Sequence, residues 1–154
     1  MDTIFNAIRS GNLEEVQAIL NKNPQLVHLK DDRGSSPLLL ASYYGFEDIT
    51  KAILSHNPDI DAKDSSGNTA LMGVCFKGNY SVAKLLIEAG ANVNEKNFNN
   101  ATALIYAATF AQKEIIKLLV NNGADISAKD NTGHTAEMHA KNQGLEISKL
   151  INLT

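Results

Sequence analysis

Apolar residues recur three and four positions apart in short blocks along the chain, and polar, glycine-bearing stretches separate the blocks. In YSVAKLLIEAG (80–90) the pair Leu85-Leu86 follows Val82 by three residues, and in KEIIKLLVNNG (113–123) Leu118-Leu119 follows Ile115 in the same way. That spacing lays one apolar stripe along a helix. A shorter block stands upstream of each: SPLLLASY (36–43), TALMGVCF (69–76), TALIYAAT (102–109) and TAEMHAKN (135–142). Ser36, Thr69, Thr102 and Thr135 sit where a side-chain oxygen accepts from the first free backbone N–H groups of a helix. Pro37 follows at a helix start, where its missing donor does no harm. Gly45, Gly78 and Gly144 stop the shorter helices and Gly90 and Gly123 the longer ones. Asn23-Pro24 and Asn57-Pro58 do so earlier in the chain, because proline cannot continue a helix. The polar stretches DSSGN (64–68) and DNTGH (130–134) read as hairpin turns.

These signals repeat. Residues 64–96 and 97–129 are each 33 long, and Thr69-Ala70-Leu71 matches Thr102-Ala103-Leu104 as Gly90-Ala91 matches Gly123-Ala124. One period back stands Ser36-Pro37-Leu38, and one period on stands Thr135-Ala136. A glycine position reads Gly34, Gly67, Asn100, Gly133. A fixed period of this size predicts a stacked all-α solenoid, in which each unit buries its apolar face on its neighbours.

On these residues the chain resembles the ankyrin repeat family. The family's T-P-L-H-x-A stretch has counterparts in SPLLLA (36–41), TALMGV (69–74), TALIYA (102–107) and TAEMHA (135–140), and its G-A-D-V-N stretch in GANVN (90–94) and GADIS (123–127). The resemblance implies one domain over 1–154 with about five repeats. A capping repeat covers 1–30, central repeats cover 31–63, 64–96 and 97–129, and a second cap covers 130–154. It also implies a non-enzymatic module that binds a protein through the concave surface of inner helices and hairpin tips.

The ends depart from the pattern as caps would. Residues 7–20 align with 41–54 but have no hairpin before them. The apolar series Leu38, Leu71, Leu104 becomes Glu137, and the small-residue series Ser42, Cys75, Ala108 becomes Lys141. Polar residues on an outward face suit a terminal unit, so the chain is expected to be a complete array.

Single positions also stand out. Cys75 belongs to a small-residue series and reads as a buried hydrophobe; the alternative is a thiol redox sensor, which needs a reachable thiolate. Gly73 stands in a series with Leu40, Tyr106 and His139. The expectation is that Tyr106 fills the space Gly73 leaves; the alternative is a pocket for a small ligand. Ala111 replaces the glycine found at 11, 45, 78 and 144.

Composition narrows the function. A formal charge of −3 and a pI of 5.8 leave no basic excess, which disfavours nucleic acid. One cysteine cannot form an internal disulfide. The start MDTIFNAIRSGNLEEV has no signal-peptide pattern and no segment approaches a membrane span. A cytoplasmic protein, monomeric in isolation and without membrane contact, is expected. His28, His56, His134 and His139 show no metal-ligand spacing, and a single cysteine rules out a thiolate zinc site. No acid–base or nucleophile pair emerges, so neither catalytic residues nor a cofactor or metal is expected. Glu14-Glu15, Glu47-Asp48 and Glu114 sit at helix starts, where negative charge suits the dipole.

Two series remain. Lys30, Lys63, Lys96 and Lys129 stand one period apart, each before Asp31, Asp64, Asn97 or Asp130. They read as a solvated edge neutralised by the aspartates, or as a ladder for an acidic partner. The aromatics are the stronger signal. Tyr43, Tyr44, Phe76 and Phe110 fall late in successive inner helices, at places expected to be equivalent, and Phe98 falls at a hairpin. With Arg33, Asn68, Lys77, Asn99 and His134 they make the expected partner-binding set, since exposed aromatics beside arginine are the composition of interface cores. Packing of the rings on adjacent inner helices is the alternative. The stretches GNTALMGVCFKG and ATALIYAATF are also similar to short bacterial ankyrin-only proteins, some encoded beside catalase. That similarity implies an accessory role in oxidative-stress defence with a haem enzyme.

Overall fold

The computed structural model describes residues 3–151, and among them it holds ten α-helices and no strand. The outermost positions of both terminal repeats, 1–2 and 152–154, lie outside the described residues. The helices come in pairs: α1 (Thr3–Arg9) with α2 (Leu13–Lys22), α3 (Pro37–Tyr43) with α4 (Glu47–Leu54), α5 (Ala70–Lys77) with α6 (Tyr80–Glu88), α7 (Ala103–Thr109) with α8 (Lys113–Asn121), and α9 (Ala136–Asn142) with α10 (Ile147–Ile151). A 3-10 turn over Pro24–His28 leads out of the first pair. The odd-numbered helices pack on one another in a row, and the even-numbered ones form a second row against them. The core lies between the rows and includes Ile8, Leu38, Leu71, Leu86, Leu104 and Leu119, all fully buried. None of these helices is long and apolar enough to cross a membrane.

Local chemistry sets the helix ends. The hydroxyls of Ser36, Thr69, Thr102 and Thr135 accept from the amides of Leu39, Met72, Ile105 and Met138 at 3.2–3.3 Å. Each thereby satisfies one of the donors that a helix start leaves free. The chain leaves each inner helix through a left-handed residue, Gly45, Gly78 and Gly144 at φ +78°, +82° and +76°, but Ala111 does the same at +56°. An alanine there costs roughly 1–2 kcal/mol relative to relaxed backbone. Gly67 is needed twice over: its φ is +82°, and a Cβ there would fall 2.7 Å from the Phe98 amide nitrogen and 2.8 Å from the Phe98 ring.

The loops between pairs are built alike and joined edge to edge. One carboxylate or amide oxygen of Asp31, Asp64, Asn97 and Asp130 accepts from two amides of its own loop, at 2.9–3.0 Å. These residues fold the turn, and among the described residues none of the aspartates forms an ion pair with the lysine that precedes it. The lysines are also occupied. Lys30 Nζ donates to the Lys63 carbonyl at 2.6 Å, and Lys63 Nζ donates to the Lys96 carbonyl at 2.8 Å while pairing with Glu95. The Ser65, Phe98 and Asn131 amides donate across to the Arg33, Ser66 and Asn99 carbonyls. For Lys30 and Lys63, the reading as a free ladder for an acidic partner gives way to a row of stitches between loops.

Two further expectations resolve. Cys75 is fully buried, and burial pushes its thiol far above the ordinary range. Tyr106 does not fill the space at Gly73. A Cβ at Gly73 would meet only Cδ1 of Tyr43, at 3.4 Å. The Tyr106 hydroxyl is drawn instead to the preceding loops, 3.1 Å from Asn97 Nδ2 and 3.2 Å from Asn68 Oδ1.

At the C-terminal end, Lys141 is exposed and Glu137 is half-buried. Glu137 accepts from the Ile147 amide, at 3.0 Å through one carboxylate oxygen and 3.3 Å through the other, and so supplies α10 with a start.

Candidate functional site

A short inner helix that ends in a left-handed turn leaves its last residues half outside the packed row. Tyr43 and Tyr44 at the end of α3, Phe76 and Lys77 at the end of α5, and Phe110 just past α7 stand in such places. All five are exposed, the rings by 39–47%. The rings form a continuous run. Tyr44 and Tyr43 lie 6.3 Å apart between centroids, Tyr43 stacks nearly parallel to Phe76 at 6.5 Å, and Phe76 meets Phe110 edge-on at 4.7 Å. The Lys77 ammonium sits 4.9 Å from the centre of the Tyr43 ring, an attraction between cation and π face.

The places are not all equivalent. Phe76 is one period after Tyr43, but Thr109 takes that position in α7, and its hydroxyl turns back to the Ile105 carbonyl at 2.7 Å. Phe110 is one residue further on, in series with Tyr44 and Lys77. The run continues because a helix turns about 100° per residue, which swings Phe110 toward the preceding helix.

Beside the rings lies a cleft of about 890 Å³ between the inner helices and the loop tips. It brings together Tyr43, Tyr44, Phe76, Arg33 and Asn68 of the expected set. Its floor is opened by Gly73, and Tyr106 and Leu40, members of the same series, line it too. The sequence singles out Gly73 and Tyr106 as partners in packing, with a pocket for a small ligand as the alternative, and both residues line this cleft. Arg9 lines the cleft and pairs with Asp31 at 3.6 Å. Asn68 is partly committed, its Oδ1 bonding Asn97 and Tyr106. Lys77 lines a neighbouring depression with Tyr43, Tyr44 and Tyr80. Tyr80 is an exposed ring that the sequence pattern does not single out, because it opens an outer helix.

Phe98, Phe110, Asn99 and His134 do not line the cleft. Phe98 is the most exposed large ring, 67%, on its loop tip, and Asn99 stands beside it. His134 lies one loop further on, where its Nδ1 meets the Thr132 hydroxyl. There the fold assembles Asp130, His134 and His139, whose ligand-type atoms lie within 4.8 Å of one another. Asp130 shows the effect of that loop on a charge. Burial raises its pKa, but hydrogen bonds from Thr132, His139 and the His134 amide outweigh this and hold the carboxyl well below the usual range.

The geometry offers a shaped surface with rings, one cation over a ring, and a polar rim. A family model described as ankyrin repeats (3 copies) matches residues 4–97 and 77–152. No curated protein matches the chain.

Proposed function

The chain belongs to the ankyrin repeat family, whose repeats generally mediate protein–protein interaction, and on that premise we propose that it captures a protein partner through the exposed ring run and the adjoining cleft. The repeats, bounded at 1–30, 31–63, 64–96, 97–129 and 130–154, act as a scaffold and perform no chemistry. The observation that carries this reading is the unbroken contact from Tyr44 through Tyr43 and Phe76 to Phe110, left uncovered across three helix pairs. Rings held by one another lose little entropy when they are covered, and such residues dominate binding energy. Arg33, Asn68 and Lys77 supply the polar rim, and Phe98, Asn99 and His134 extend the contact along the loop tips. The protein works in the cytoplasm and is a monomer until it meets its partner.

The test is the triple variant Tyr43→Ala, Phe76→Ala, Phe110→Ala. Loss of one anchor of this kind costs about 2 kcal/mol or more, a roughly thirtyfold loss of affinity. Together they are expected to abolish capture from source-cell lysate while leaving the unfolding midpoint nearly unchanged. A variant that still captures the partner overturns the reading. A loss of several kcal/mol of stability makes the rings packing residues instead.

The narrower reading, a bacterial accessory protein serving a haem enzyme such as catalase, rests on the resemblance of two stretches. Retention of a catalase in the same capture is what would favour it. The thiol-sensor alternative rests on Cys75, whose burial opposes it. Labelling of the native thiol without denaturant would revive it.

A further inference from the structure

The period of the chain allows each loop-and-helix junction to be compared with its counterparts. The residues in line with Asp130, His134 and His139 are Asp31, Ser35 and Leu40 in the second pair, Asp64, Asn68 and Gly73 in the third, and Asn97, Ala101 and Tyr106 in the fourth. Only the fifth pair fills all three places with metal-ligand types, and it uses two of the chain's four histidines to do so.

His139 by itself has a structural counterpart. Its Nε2 lies 2.8 Å from Asp130 Oδ2, much as the Tyr106 hydroxyl lies 3.1 Å from the Asn97 amide one period earlier. Both tie an inner helix to its loop. His134 has no such use. It is exposed, yet its ring stands 5.4 Å from that of His139. The carboxylate between them is held in place. Asp130 Oδ1 accepts from the amides of Thr132 and His134 and from the Thr132 hydroxyl, which leaves Oδ2 directed at His139. The Thr132 hydroxyl also meets His134 Nδ1. Its single proton is committed to the carboxylate, so His134 Nδ1 must be the donor in that contact, and the other ring nitrogen keeps its lone pair. A hydrogen bond that fixes the tautomer and orients the ring is what metal-ligating histidines receive from their surroundings.

We propose that Asp130, His134 and His139 form a binding site for a divalent transition-metal ion of the zinc class. Two imidazoles and one carboxylate are a donor set that such ions take, with the remaining positions open to water. Ligand atoms at about 2.0–2.2 Å from a tetrahedral zinc ion stand roughly 3.4 Å apart. Asp130 and His139 are already close to that spacing, and rotation of the exposed His134 ring closes the rest. The ion takes the place of the proton that His139 directs at Asp130, and that proton moves to Nδ1 or to solvent. The proposal shares His134 with the protein-binding reading but does not rest on it, and its test reads metal uptake and not partner capture.

The test uses the full chain without an affinity tag, stripped by a chelator. Zinc is titrated calorimetrically and cobalt(II) is followed by visible absorption. The parent chain is expected to take up one ion, with cobalt bands that report inner-sphere ligands. His134→Gln and His139→Gln are each expected to weaken uptake by more than about a hundredfold, beyond the roughly 10–100-fold that loss of an outer partner alone costs. Glutamine at 139 keeps an N–H donor for Asp130, so loss of the ligand is read separately from loss of the helix-to-loop tie. His28→Gln and His56→Gln serve as controls. No uptake by the parent chain, or uptake unchanged in either His134→Gln or His139→Gln, overturns the proposal.

Discussion

The third and fifth helix pairs follow the same trace with different contents. In α5, Leu71 and Cys75 are fully buried, wedged between α3 on one side and α7 on the other. In α9 the same places hold Glu137 and Lys141, half-buried and exposed. Capping hydroxyl, inner helix and left-handed stop are common to both. What differs is the number of neighbours in the row. A helix covered on both sides needs apolar residues on both, and one covered on a single side can put charge on the other without a desolvation cost. The trace is thus set by local capping and turn chemistry, and the contents by the stack. Glu137 shows that the freed position is reused: its carboxylate starts α10.

The sharpest way to break this comparison is to remove the same side chain in both regions. Leu86→Ala in α6 or Leu119→Ala in α8 is expected to cost about 2–5 kcal/mol, because each is fully buried between rows. Leu150→Ala, at a half-buried site in α10, is expected to cost far less. Equal losses in urea titrations would mean that the terminal pair is as tightly packed as the centre. Next in size is Glu137→Ala, expected to cost about 0.5–2 kcal/mol as lost capping residues do. Glu137→Gln keeps an acceptor oxygen and should lose less; equal losses from the two variants would show that the carboxylate matters for its charge and not for its bond. The smallest effect has the opposite sign. Gly73 is helical, its Cβ would only touch the Tyr43 ring, and the side chain would enter the open cleft. Gly73→Ala is expected to raise stability by about 1 kcal/mol or less, the helix-propensity difference. A fall in the unfolding midpoint would mean that the space at Gly73 is already filled, as the sequence pattern suggests.

Features whose cause is local were legible in the sequence. A threonine three residues before an amide that needs a partner, or a glycine after a run of helix formers, states its role within one turn, as Thr69 and Gly78 do. The period then carried those signals to places where the residue itself is atypical, such as the left-handed Ala111 and Asn100. Features that depend on where a side chain turns after the stack forms were not legible. Tyr43 rather than Tyr106 abuts Gly73, and Lys30 and Lys63 find carbonyls of the next loop, because the acceptors belong to backbone whose direction the pattern does not encode. Phe110 was placed in the right run for a partly wrong reason, since it is in line with Tyr44 but stands one position off Tyr43 and Phe76. The Asp130, His134 and His139 group escaped a search by spacing because it spans a turn and a helix, where separations of four and five residues follow no single period.

The stitches between loops also bear on how the molecule deforms. Along the loop edge, lysine ammonium groups and backbone amides bond to main-chain carbonyls of the adjacent loop, at distances that weaken steeply when stretched. Along the opposite edge the outer helices meet through apolar contacts, which tolerate small sliding. The solenoid is therefore a strip with one inextensible margin and one compliant margin. Bending that spreads the loops is resisted, while slippage at the outer helices is absorbed. The Tyr43, Phe76 and Phe110 rings ride at the ends of the inner helices, in contact across successive pairs, so their pitch changes only as far as this uneven bending allows, and an approaching surface must match it.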